Sequence, residues 1–273
     1  MDFETITTRG LVLLGCGKMG SAMLQGWLAN GLAASSVWVV DPNPSDWLRG
    51  LAGQGLHLNA DLPAAPAIVL VAVKPQMMGD ALPTMAAMGG GDTLFLSVAA
   101  GTPISAFEAV LGANTPIIRA MPNTPAAVGR GITALIGNSK VAEGQMQLAE
   151  TLLSAVGQTV RLEGEGQMDA VTAVSGSGPA YVFHLIETLA AAGVAQGLPQ
   201  DLAMKLAKAT VGGAGQLAET ADEDPAQLRI NVTSPGGTTA AALNVLMNET
   251  TGFPALLTRA VKAAADRSRE LAQ

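Results

Sequence analysis

The sequence predicts an α/β domain over residues 1–165, followed by an all-helical domain over residues 166–273. Short runs of β-branched and aliphatic residues alternate with longer amphipathic stretches up to about Leu162, which is the pattern of strands joined by helical crossovers. A glycine-rich turn at 15–20 follows the first of these runs. After Gly166 the strand signals end, and Ala-rich stretches with helical spacing take over. A chain of 273 residues is long enough for each domain to bury its own core.

Seven short apolar runs are predicted to form the strands of the first domain. Their strongly apolar character is typical of parallel strands that helices cover on both faces. The predicted strands are 11–14, 37–40, 67–73, 94–98, 117–119, 132–136 and 159–162. Two helices are predicted between them, at 21–30, which ends at a C-cap Gly31, and at 141–154, before Gly157.

The second domain is predicted to contain only helices, some with recognisable start signals. The predicted helices are 168–174, 180–192, 199–220, 238–247 and 255 to the C-terminus. Ser177 is placed to cap the second of them, with Pro179 in its first turn, and Pro199 with Asp201 marks the start of the third. The acidic run Asp222-Glu223-Asp224 is expected to be a solvated loop that caps the helix after it.

Three glycines, Gly212, Gly213 and Gly215, interrupt the predicted helix 199–220. Each costs about 1 kcal/mol relative to alanine inside a helix, so another interaction must offset that cost. Close packing of a second helix on this small-residue face and a local break in the helix are the two physical explanations. We favour the packing of two helices across a dimer interface.

Composition and charge exclude several classes of function. The 15 basic and 22 acidic residues give a net charge of -7, which does not suit binding to nucleic acid. Apolar residues make up 49% of the chain and charged ones 14%, so we expect a homo-oligomer that buries apolar area between subunits. The longest purely apolar run, 67–73, falls far short of the roughly 20 residues that span a bilayer, so no membrane association is expected.

Cysteine and histidine usage argues against a disulfide and against a metal site. Cys16 is the single cysteine, and the two histidines, His57 and His184, lie far apart in the sequence. We expect no bound metal, a reducing compartment and, with the acidic start Met1-Asp2-Phe3-Glu4, a cytoplasmic protein. Cys16 is interpreted as a space-filling residue, and His184, on an apolar helix, as a packing or interface residue.

The glycine turn Gly15-Cys16-Gly17-Lys18-Met19-Gly20 follows an apolar strand and opens a helix, and this context makes an otherwise weak pattern informative. Gly15 permits the tight turn, Gly17 lets the backbone approach a pyrophosphate, and Gly20 lets the helix pack closely. The amide N–H groups of the helix then point at the phosphates. The first domain is therefore predicted to be a Rossmann-type domain that binds a nicotinamide dinucleotide through Gly15, Gly17, Lys18, Met19 and Gly20.

Asp41 ends the second predicted strand, about 20 residues after Gly20, where an acid commonly hydrogen-bonds the adenosine ribose. This position favours NAD(H). Asn43 lies in the polar segment that follows, and Arg49 is close enough in sequence to reach a 2′-phosphate, so NADP(H) stays open. A third interpretation makes Asp41 a simple turn residue.

Four further strings are not explained by a generic dinucleotide domain. They are Ala72-Val73-Lys74-Pro75, Arg119-Ala120-Met121-Pro122-Asn123-Thr124-Pro125, Ser175-Gly176-Ser177-Gly178-Pro179-Ala180-Tyr181 and Ser234-Pro235-Gly236-Gly237-Thr238-Thr239. Together with the glycine turn, in this order and spacing, they resemble the pyrroline-5-carboxylate reductases from Leu11 to about Leu271. The last two strings are specific to that family.

The resemblance implies reduction of the cyclic imine L-1-pyrroline-5-carboxylate to L-proline, the last step of proline synthesis, with NADPH or NADH as hydride donor. It also implies a helical dimerisation domain, an active site between the cofactor domain and helices of a dimer mate, and dimers that assemble to a decamer. By the same resemblance Asn59 binds the adenosine side, and Val73, Lys74 and Pro75 bind the nicotinamide end. Lys74 is expected to act there through its backbone.

The resemblance assigns the substrate to the last string of residues. They are Ser234, Gly236, Gly237, Thr238 and Thr239. On physical grounds the two glycines place flexible backbone at the start of a helix, which suits a carboxylate. A protonated imine accepts hydride readily, so the protein needs to supply only positioning and one hydroxyl donor, for which Thr239 is the candidate. Asn123 and Thr124 are interpreted as a rigid loop that shapes the nicotinamide pocket.

Two positions depart from the family pattern, and two other functions compete with this interpretation. The family often has a small or polar residue in place of Asp41, and an acid in place of Ile230. A hydroxy acid dehydrogenase or a general imine reductase of the same architecture would use a catalytic lysine such as Lys205 or Lys208, but would leave the 234–239 segment without a role. A redox sensor without catalysis would not need that segment either.

Overall fold

The computed structural model describes residues 3–271, and its first part is built on a single eight-stranded sheet. The strand order is β3-β2-β1-β4-β5-β6-β7-β8. The strands are β1 (Leu11–Leu14), β2 (Val37–Val40), β3 (His57–Leu58), β4 (Ile68–Val71), β5 (Leu94–Ser97), β6 (Ile117–Met121), β7 (Gly131–Gly137) and β8 (Gly157–Arg161). β2 and β3 lie on one side of β1, and β4 to β8 lie on the other, so the strand order switches between β1 and β4. Because these two strands are parallel neighbours, their carboxyl ends lie at one edge of the sheet.

The predicted strands match this sheet with two kinds of difference. β1 and β2 have the predicted bounds, whereas β4 ends at Val71 because Ala72 and Val73 leave the sheet. β3 was not predicted, since two residues carry no periodic pattern. Parallel pairing with β2 and stacking of the Trp38 and His57 rings, 4.2 Å apart, hold it in place.

The expectation that all strands are parallel is wrong for β7 and β8. β6 and β7 pair antiparallel, with Met121 opposite Ala134, and β8 runs parallel to β7. The physical reason is the short segment 122–130 between them, since a parallel crossover needs about a dozen residues or more. The amino ends of β7 and β8 therefore lie at the same edge of the sheet as the carboxyl end of β6.

Twelve α-helices lie within residues 3–271. They are α1 (Glu4–Arg9), α2 (Lys18–Ala29), α3 (Asp46–Ala52), α4 (Met78–Ala81), α5 (Ile104–Leu111), α6 (Glu143–Leu153), α7 (Met168–Val171), α8 (Gly178–Ala195), α9 (Gln200–Thr220), α10 (Pro225–Asn231), α11 (Thr238–Leu246) and α12 (Phe253–Leu271). A π-helical turn, Thr172–Gly176, lies between α7 and α8. The end of the predicted last helix, at 272–273, falls outside the described residues.

The starts of α10, α8 and α2 confirm some of the predicted capping signals and correct others. The Asp224 carboxylate accepts the N–H of Gln227 at 2.9 Å, which confirms the predicted cap of α10. Ser177 precedes α8 as predicted, but its side chain makes no capping hydrogen bond. α2 begins at Lys18 instead of residue 21, because the glycine turn itself forms the first helical turn.

The core of the sheet domain consists of two buried clusters, one on each face of the sheet. Alternate residues of β1 divide between them, with Leu13 on one face and Val12 on the other. On the first face Trp27 of α2 is fully buried, and its indole N–H donates to the carbonyl oxygen of Leu152 at 2.8 Å. On the second face Phe107 of α5 is fully buried. Both faces are covered, as the apolar strands predicted.

The chain forms two compact units. One comprises the residues up to Gly176 together with those from Ala265 onward, and the other is Ser177–Ala264. The α7 segment therefore belongs to the first unit, and a domain boundary between residues 165 and 166 stays a prediction. Within the second unit α8 and α9 pack together through small residues, with Ala190, Ala203 and Ala207 at the centre.

The three glycines of α9 lie in an unbroken helix. α9 runs from Gln200 to Thr220, so the alternative of a local break is wrong. A Cβ atom added at Gly212, Gly213 or Gly215 would meet no heavy atom within 4 Å outside the helix backbone. No helix of this chain within the described residues packs against that face, and a helix from a second subunit stays a prediction.

Candidate functional site

The glycine turn between β1 and α2 has the geometry that a dinucleotide requires. Gly15 has a φ of +88°, and a Cβ atom there would lie 2.9 Å from a methyl carbon of Val73. A Cβ atom on Gly20 would lie 2.5 Å from the carbonyl oxygen of Gly15. Neither position tolerates a side chain, because one needs left-handed backbone and the other a close approach of helix to turn.

Gly17 differs from the other two glycines, because it faces open space. A Cβ atom at Gly17 would meet nothing within 4 Å, and the residue is exposed. It forms the N-cap of α2 without a side-chain hydrogen bond to the first turn. The first N–H groups of α2, from Lys18 and Met19 onward, are thus left for an anion, and the residues present fit a pyrophosphate.

Five parallel strands bring the remaining cofactor candidates to the same edge of the sheet. The loops after β1, β2, β4 and β6 carry most of them, and β3 is followed directly by Asn59. The candidates at this edge are Gly15, Gly17, Lys18, Met19, Gly20, Asp41, Asn43, Asn59, Val73, Lys74, Pro75, Asn123 and Thr124. We call this set of residues the dinucleotide edge.

Asp41 is tied to the glycine turn by its side chain. One carboxylate oxygen, Oδ2, accepts the N–H of Cys16 at 2.8 Å, and Oδ1 accepts the N–H of Asn43 at 2.8 Å. Asn59 pairs with the backbone of the same residue: it accepts the Asp41 N–H and donates to the Asp41 carbonyl oxygen, both at 2.9 Å. The turn-residue interpretation of Asp41 describes part of its role, and a ribose contact stays a prediction.

Cys16 is buried in the glycine turn, and its thiol stays protonated. Burial, and to a lesser degree the neighbouring Asp41 carboxylate, raises the pKa of its thiol to about 12. A thiol at the start of a helix often has a lowered pKa, so desolvation outweighs the helix dipole here. This agrees with the interpretation of Cys16 as a space-filling residue, because the thiolate is the reactive form.

The segment after β4 presents backbone and an exposed lysine. Val73 packs against the glycine turn, while the Lys74 side chain is exposed to solvent. The Lys74 carbonyl oxygen accepts the N–H of Met77 at 2.9 Å, which closes a short 3-10 turn that begins at Pro75. The segment thus offers a fixed backbone surface at the edge, consistent with a backbone role for Lys74.

Asn123 holds the loop after β6 in shape. Its Oδ1 accepts the N–H of Ile132 at 3.0 Å, and its Nδ2 donates to the hydroxyl of Ser175 at 3.3 Å. Thr124 begins the 3-10 helix that follows. Ser175 lies in the π-helical turn, and such turns occur frequently at functional sites. The rigid loop is as predicted, but the role of Ser175 in it was missed, because no local pattern links residues 123 and 175.

An ion pair between a buried arginine and a partly exposed glutamate was also missed. Arg119 of β6 is 6% exposed, and its Nη1 donates to Oε1 of Glu165 at 2.8 Å. The same oxygen accepts the N–H of Ile104 at 2.9 Å, at the start of α5. A charged residue inside the apolar run of β6 was the one signal in the sequence for this pair. The partner could not be found, because Glu165 is far away in sequence.

The substrate candidates form a turn in the second unit, which we call the substrate loop (residues 234–239). The N–H of Gly237 donates to the carbonyl oxygen of Ser234 at 3.0 Å, and Gly236 has a left-handed φ of +70°. α11 starts at Thr238 without a side-chain cap, so its first N–H groups are available. Thr239, in the first turn, is partly buried. The two glycines thus precede the start of a helix, and the binding of a carboxylate there stays a prediction.

Other candidates are not placed at either site. His184 is 75% exposed in its side chain and lies 3.2 Å from the carboxylate of Glu187. Within residues 3–271 there is no group of three or more His, Cys, Asp or Glu residues arranged for a metal ion. No helix in the described part of the chain is long and apolar enough to cross a membrane.

The two halves of the chain match two known protein families. Residues 10–101 match the family described as NADP oxidoreductase coenzyme F420-dependent, and residues 165–271 match the family described as pyrroline-5-carboxylate reductase dimerisation. The first match contains the glycine turn and the loops after β2 and β4, and the second contains the helices that carry the substrate loop.

Similar proteins are found over the whole chain. It is 39% identical to a pyrroline-5-carboxylate reductase of Pseudomonas aeruginosa, with 98% of each chain covered, and 39% identical to one of Pisum sativum, with 96% and 95% covered. The solved structure of a pyrroline-5-carboxylate reductase from Coxiella burnetii has a TM-score of 0.90 at 34% identity, covering 97% and 99%. That of Plasmodium falciparum pyrroline carboxylate reductase with NADP bound has a TM-score of 0.82 at 30% identity, covering 97% and 98%.

Proposed function

The chain belongs to the pyrroline-5-carboxylate reductase family, and from this membership we propose how its residues perform the family's reaction. It is an NAD(P)H-dependent oxidoreductase that reduces the C=N bond of L-1-pyrroline-5-carboxylate to give L-proline, in the final step of proline biosynthesis. One observation carries the proposal most directly: the open, uncapped helix start at Gly17, on a chain that is similar to these reductases over nearly its whole length.

The dinucleotide edge is proposed to hold the cofactor in three parts. Gly15, Gly17, Lys18, Met19 and Gly20 form the pyrophosphate site, in which the N–H groups at the start of α2 and the positive end of its dipole contact the phosphates. Asp41, Asn43 and Asn59 contact the adenosine ribose. Val73, Lys74, Pro75, Asn123 and Thr124 shape the nicotinamide end. When bound, the reduced nicotinamide supplies the hydride for the imine carbon.

The substrate loop is proposed to hold the substrate by its carboxylate. The uncapped N–H groups of Thr238 and Thr239 give the anion hydrogen bonds without any competing side-chain acceptor. Ser234 and Gly236 complete the loop, and the left-handed Gly236 permits its turn. Binding of the carboxylate orients the imine, and this orientation supplies much of the catalytic effect, because hydride transfer depends on the approach geometry.

Thr239 is proposed to be the catalytic residue of the chain. Its hydroxyl Oγ1 lies in the first turn of α11, next to the N–H groups that would bind the carboxylate. From there it donates a hydrogen bond to the lone pair of the neutral ring nitrogen and transfers a proton to it as the carbon accepts hydride. The product then carries the new C–H and N–H bonds, and the Thr239 hydroxyl regains its proton from solvent.

The protein is a homo-oligomer, and we propose that a dimer is its unit and that dimers assemble to a decamer. The second unit exposes large apolar side chains on several helices, including Phe183 (58%), Leu217 (54%) and Val245 (71%). Apolar area of this kind is typical of a subunit interface. Light scattering coupled to gel filtration measures the mass directly. A monomer would contradict the proposal, and a dimer without larger species would contradict the decamer only. The cytoplasmic location stays a prediction.

The proposed reaction is tested with purified protein, L-1-pyrroline-5-carboxylate and NADPH or NADH, by following nicotinamide absorbance. Substrate-dependent oxidation of the cofactor, with proline as product, is the expected result. Acetoacetate and 2-oxo acids serve as controls, because a hydroxy acid dehydrogenase of similar architecture would reduce them. Oxidation with these oxo acids but not with the imine would overturn the proposal.

A further inference from the structure

Ser175 lies in the π-helical turn Thr172–Gly176, the last segment of the first unit before α8. Its hydroxyl is bonded to Asn123, in the loop after β6 that is proposed to shape the nicotinamide end. We infer that Ser175 is a positioning residue for hydride transfer, which holds the Asn123 amide in place and thereby fixes this loop. The inference rests on the proposed function and concerns a residue outside the proposed cofactor and substrate sites.

The Asn123 side chain bridges two segments that are distant from each other in sequence. The N–H of Ile132, near the start of β7, donates to its Oδ1 at 3.0 Å. Because a backbone N–H only donates, this contact requires the amide oxygen on that side and places the amide nitrogen on the other. The nitrogen, Nδ2, donates to the Ser175 hydroxyl at 3.3 Å. The contact with Ile132 thus selects the amide orientation, and Ser175 holds the amide from its other side.

The bond to Ser175 is an attachment of the loop to a segment outside it. The bond between Asn123 and Ile132 closes the segment 122–130 at its base, but a loop closed only at its base can still rotate about the strand ends. Thr124, which begins the 3-10 helix Thr124–Val128, follows Asn123 directly, so a shift of Asn123 moves both proposed nicotinamide residues. A misplacement of about 1 Å at a reacting group can lower a rate about 100-fold.

The π-helical turn contacts β6 directly, which makes it a suitable anchor for the loop. A Cβ atom on Gly176 would lie 2.6 Å from the methyl carbon of Met121, the last residue of β6. Within the turn, the Thr172 hydroxyl donates to the carbonyl oxygen of Met168 at 2.8 Å. π-helical turns are rare and occur frequently at functional sites. This turn therefore lies against the end of β6 at Met121 and reaches the loop itself at Asn123.

The first test measures binding in the full-length protein and needs no catalysis. Calorimetric titration compares NADPH with 2′-phospho-ADP-ribose, which lacks the nicotinamide but retains the adenosine and the pyrophosphate. In Ser175→Ala we expect the Kd of NADPH to rise at least about fivefold, the effect of losing one ordinary hydrogen bond. The Kd of 2′-phospho-ADP-ribose should change less than about twofold, because its contacts lie elsewhere. If both Kd values change by the same factor, or neither changes, the inference is overturned.

Thr172→Val is the matched control for this titration. It removes a hydroxyl from the same π-helical turn at nearly constant side-chain volume, and the lost hydrogen bond goes to Met168 instead of the loop. We expect both Kd values to change less than about twofold in this variant. A rise in the Kd of NADPH equal to that in Ser175→Ala would mean that loosening of the turn causes the effect, and the role of Ser175 would be refuted.

The second test is a double-mutant cycle on kcat with saturating NADPH and L-1-pyrroline-5-carboxylate. Ser175→Ala should lower kcat at least about fivefold, and Asn123→Ala should lower it further, because it loses both hydrogen bonds. The variant with both changes should match Asn123→Ala within about twofold, since Ser175 acts through Asn123. Two factors that multiply would contradict the positioning role. If the unmodified protein does not reduce the imine, the proposed function fails, whereas the titration still decides the inference about Ser175.

Discussion

The dinucleotide edge and the substrate loop differ in how far side chains hold them in place. At the edge, Asp41 bonds the glycine turn, and Asn123 bonds both Ile132 and Ser175. The substrate loop is mostly exposed, and its described hydrogen bond is a backbone one, from the Gly237 N–H to the Ser234 carbonyl oxygen. Both sites leave N–H groups at the start of a helix for an anion, but only at the edge do side chains fix the surrounding loops before a ligand arrives.

The largest expected effect comes from filling the open space at the edge. Gly17→Val should abolish binding of NADPH and NADH, because the side chain would occupy the space proposed for the pyrophosphate. The fold should survive, since Gly17 has a φ of -70° and no neighbour within 4 Å. Cofactor fluorescence measures binding and circular dichroism checks the fold. Gly144→Val, at an exposed glycine of α6 that is equally free of neighbours, should bind normally. Retained binding in Gly17→Val would refute the proposed pyrophosphate site.

A change in the substrate loop should separate chemistry from cofactor binding. Thr239→Ala should lower kcat by about 100-fold, the effect typical of losing one proton donor, while the Kd of the cofactor stays unchanged. Thr239→Ser retains the hydroxyl and should recover most of the activity. Steady-state kinetics and cofactor titration provide both readouts. Full turnover in Thr239→Ala would remove the proposed role of its hydroxyl.

The rigidity of the first unit also depends on a buried charge. Glu165→Ala should lower the free energy of unfolding by about 3 kcal/mol, because the guanidinium of Arg119 loses its partner in a buried place. Urea denaturation followed by circular dichroism measures the change. Glu163→Ala removes an exposed acid nearby and should change stability by less than about 0.5 kcal/mol. Equal stability of the two variants would show that the ion pair contributes nothing.

The last effect is absent at neutral pH and concerns the pH dependence of stability at Cys16. Its pKa in the folded protein is raised to about 12, from an ordinary value near 9. The unfolded thiol loses its proton first as the pH rises, so the contribution is fully present below pH 9 and is lost between about pH 9 and 12. Wild type should therefore lose stability relative to Cys16→Ser over this range. A constant difference between the two unfolding free energies would contradict the raised pKa.

Local sequence patterns were sufficient to predict the features that depend on neighbouring residues. The bounds of β1 and β2, the glycine turn, the cap by Asp224 and the glycine turn before α11 all depend on spacings of a few residues. Periodicity and backbone preference determine such features directly. This is why the glycine turn could be predicted from the residues alone, whereas the substrate loop was assigned from the resemblance to the reductase family.

Features that depend on distant residues could not be predicted in the same way. The antiparallel direction of β7 and the two-residue β3 result from sheet pairing, which overrides the local pattern. The pairing of Arg119 with Glu165 joins residues from separate elements. The sequence favoured an unbroken α9 despite its three glycines, and the structure confirms it, but no local pattern could show which helix packs on those glycines.

The amino-acid sequence by itself determined the α/β sheet domain, the glycine turn after β1 and the glycines that precede α11, because hydrophobic period and glycine spacing act over a few residues. Only the tertiary structure decided which groups hold the turn in place. The carboxylate of Asp41 meets the N–H of Cys16, and the amide of Asn59 meets the backbone of Asp41, after parallel strands bring their carboxyl ends to one edge. Hydrogen bonds between residues distant in sequence depend on positions in space, and folding sets those positions.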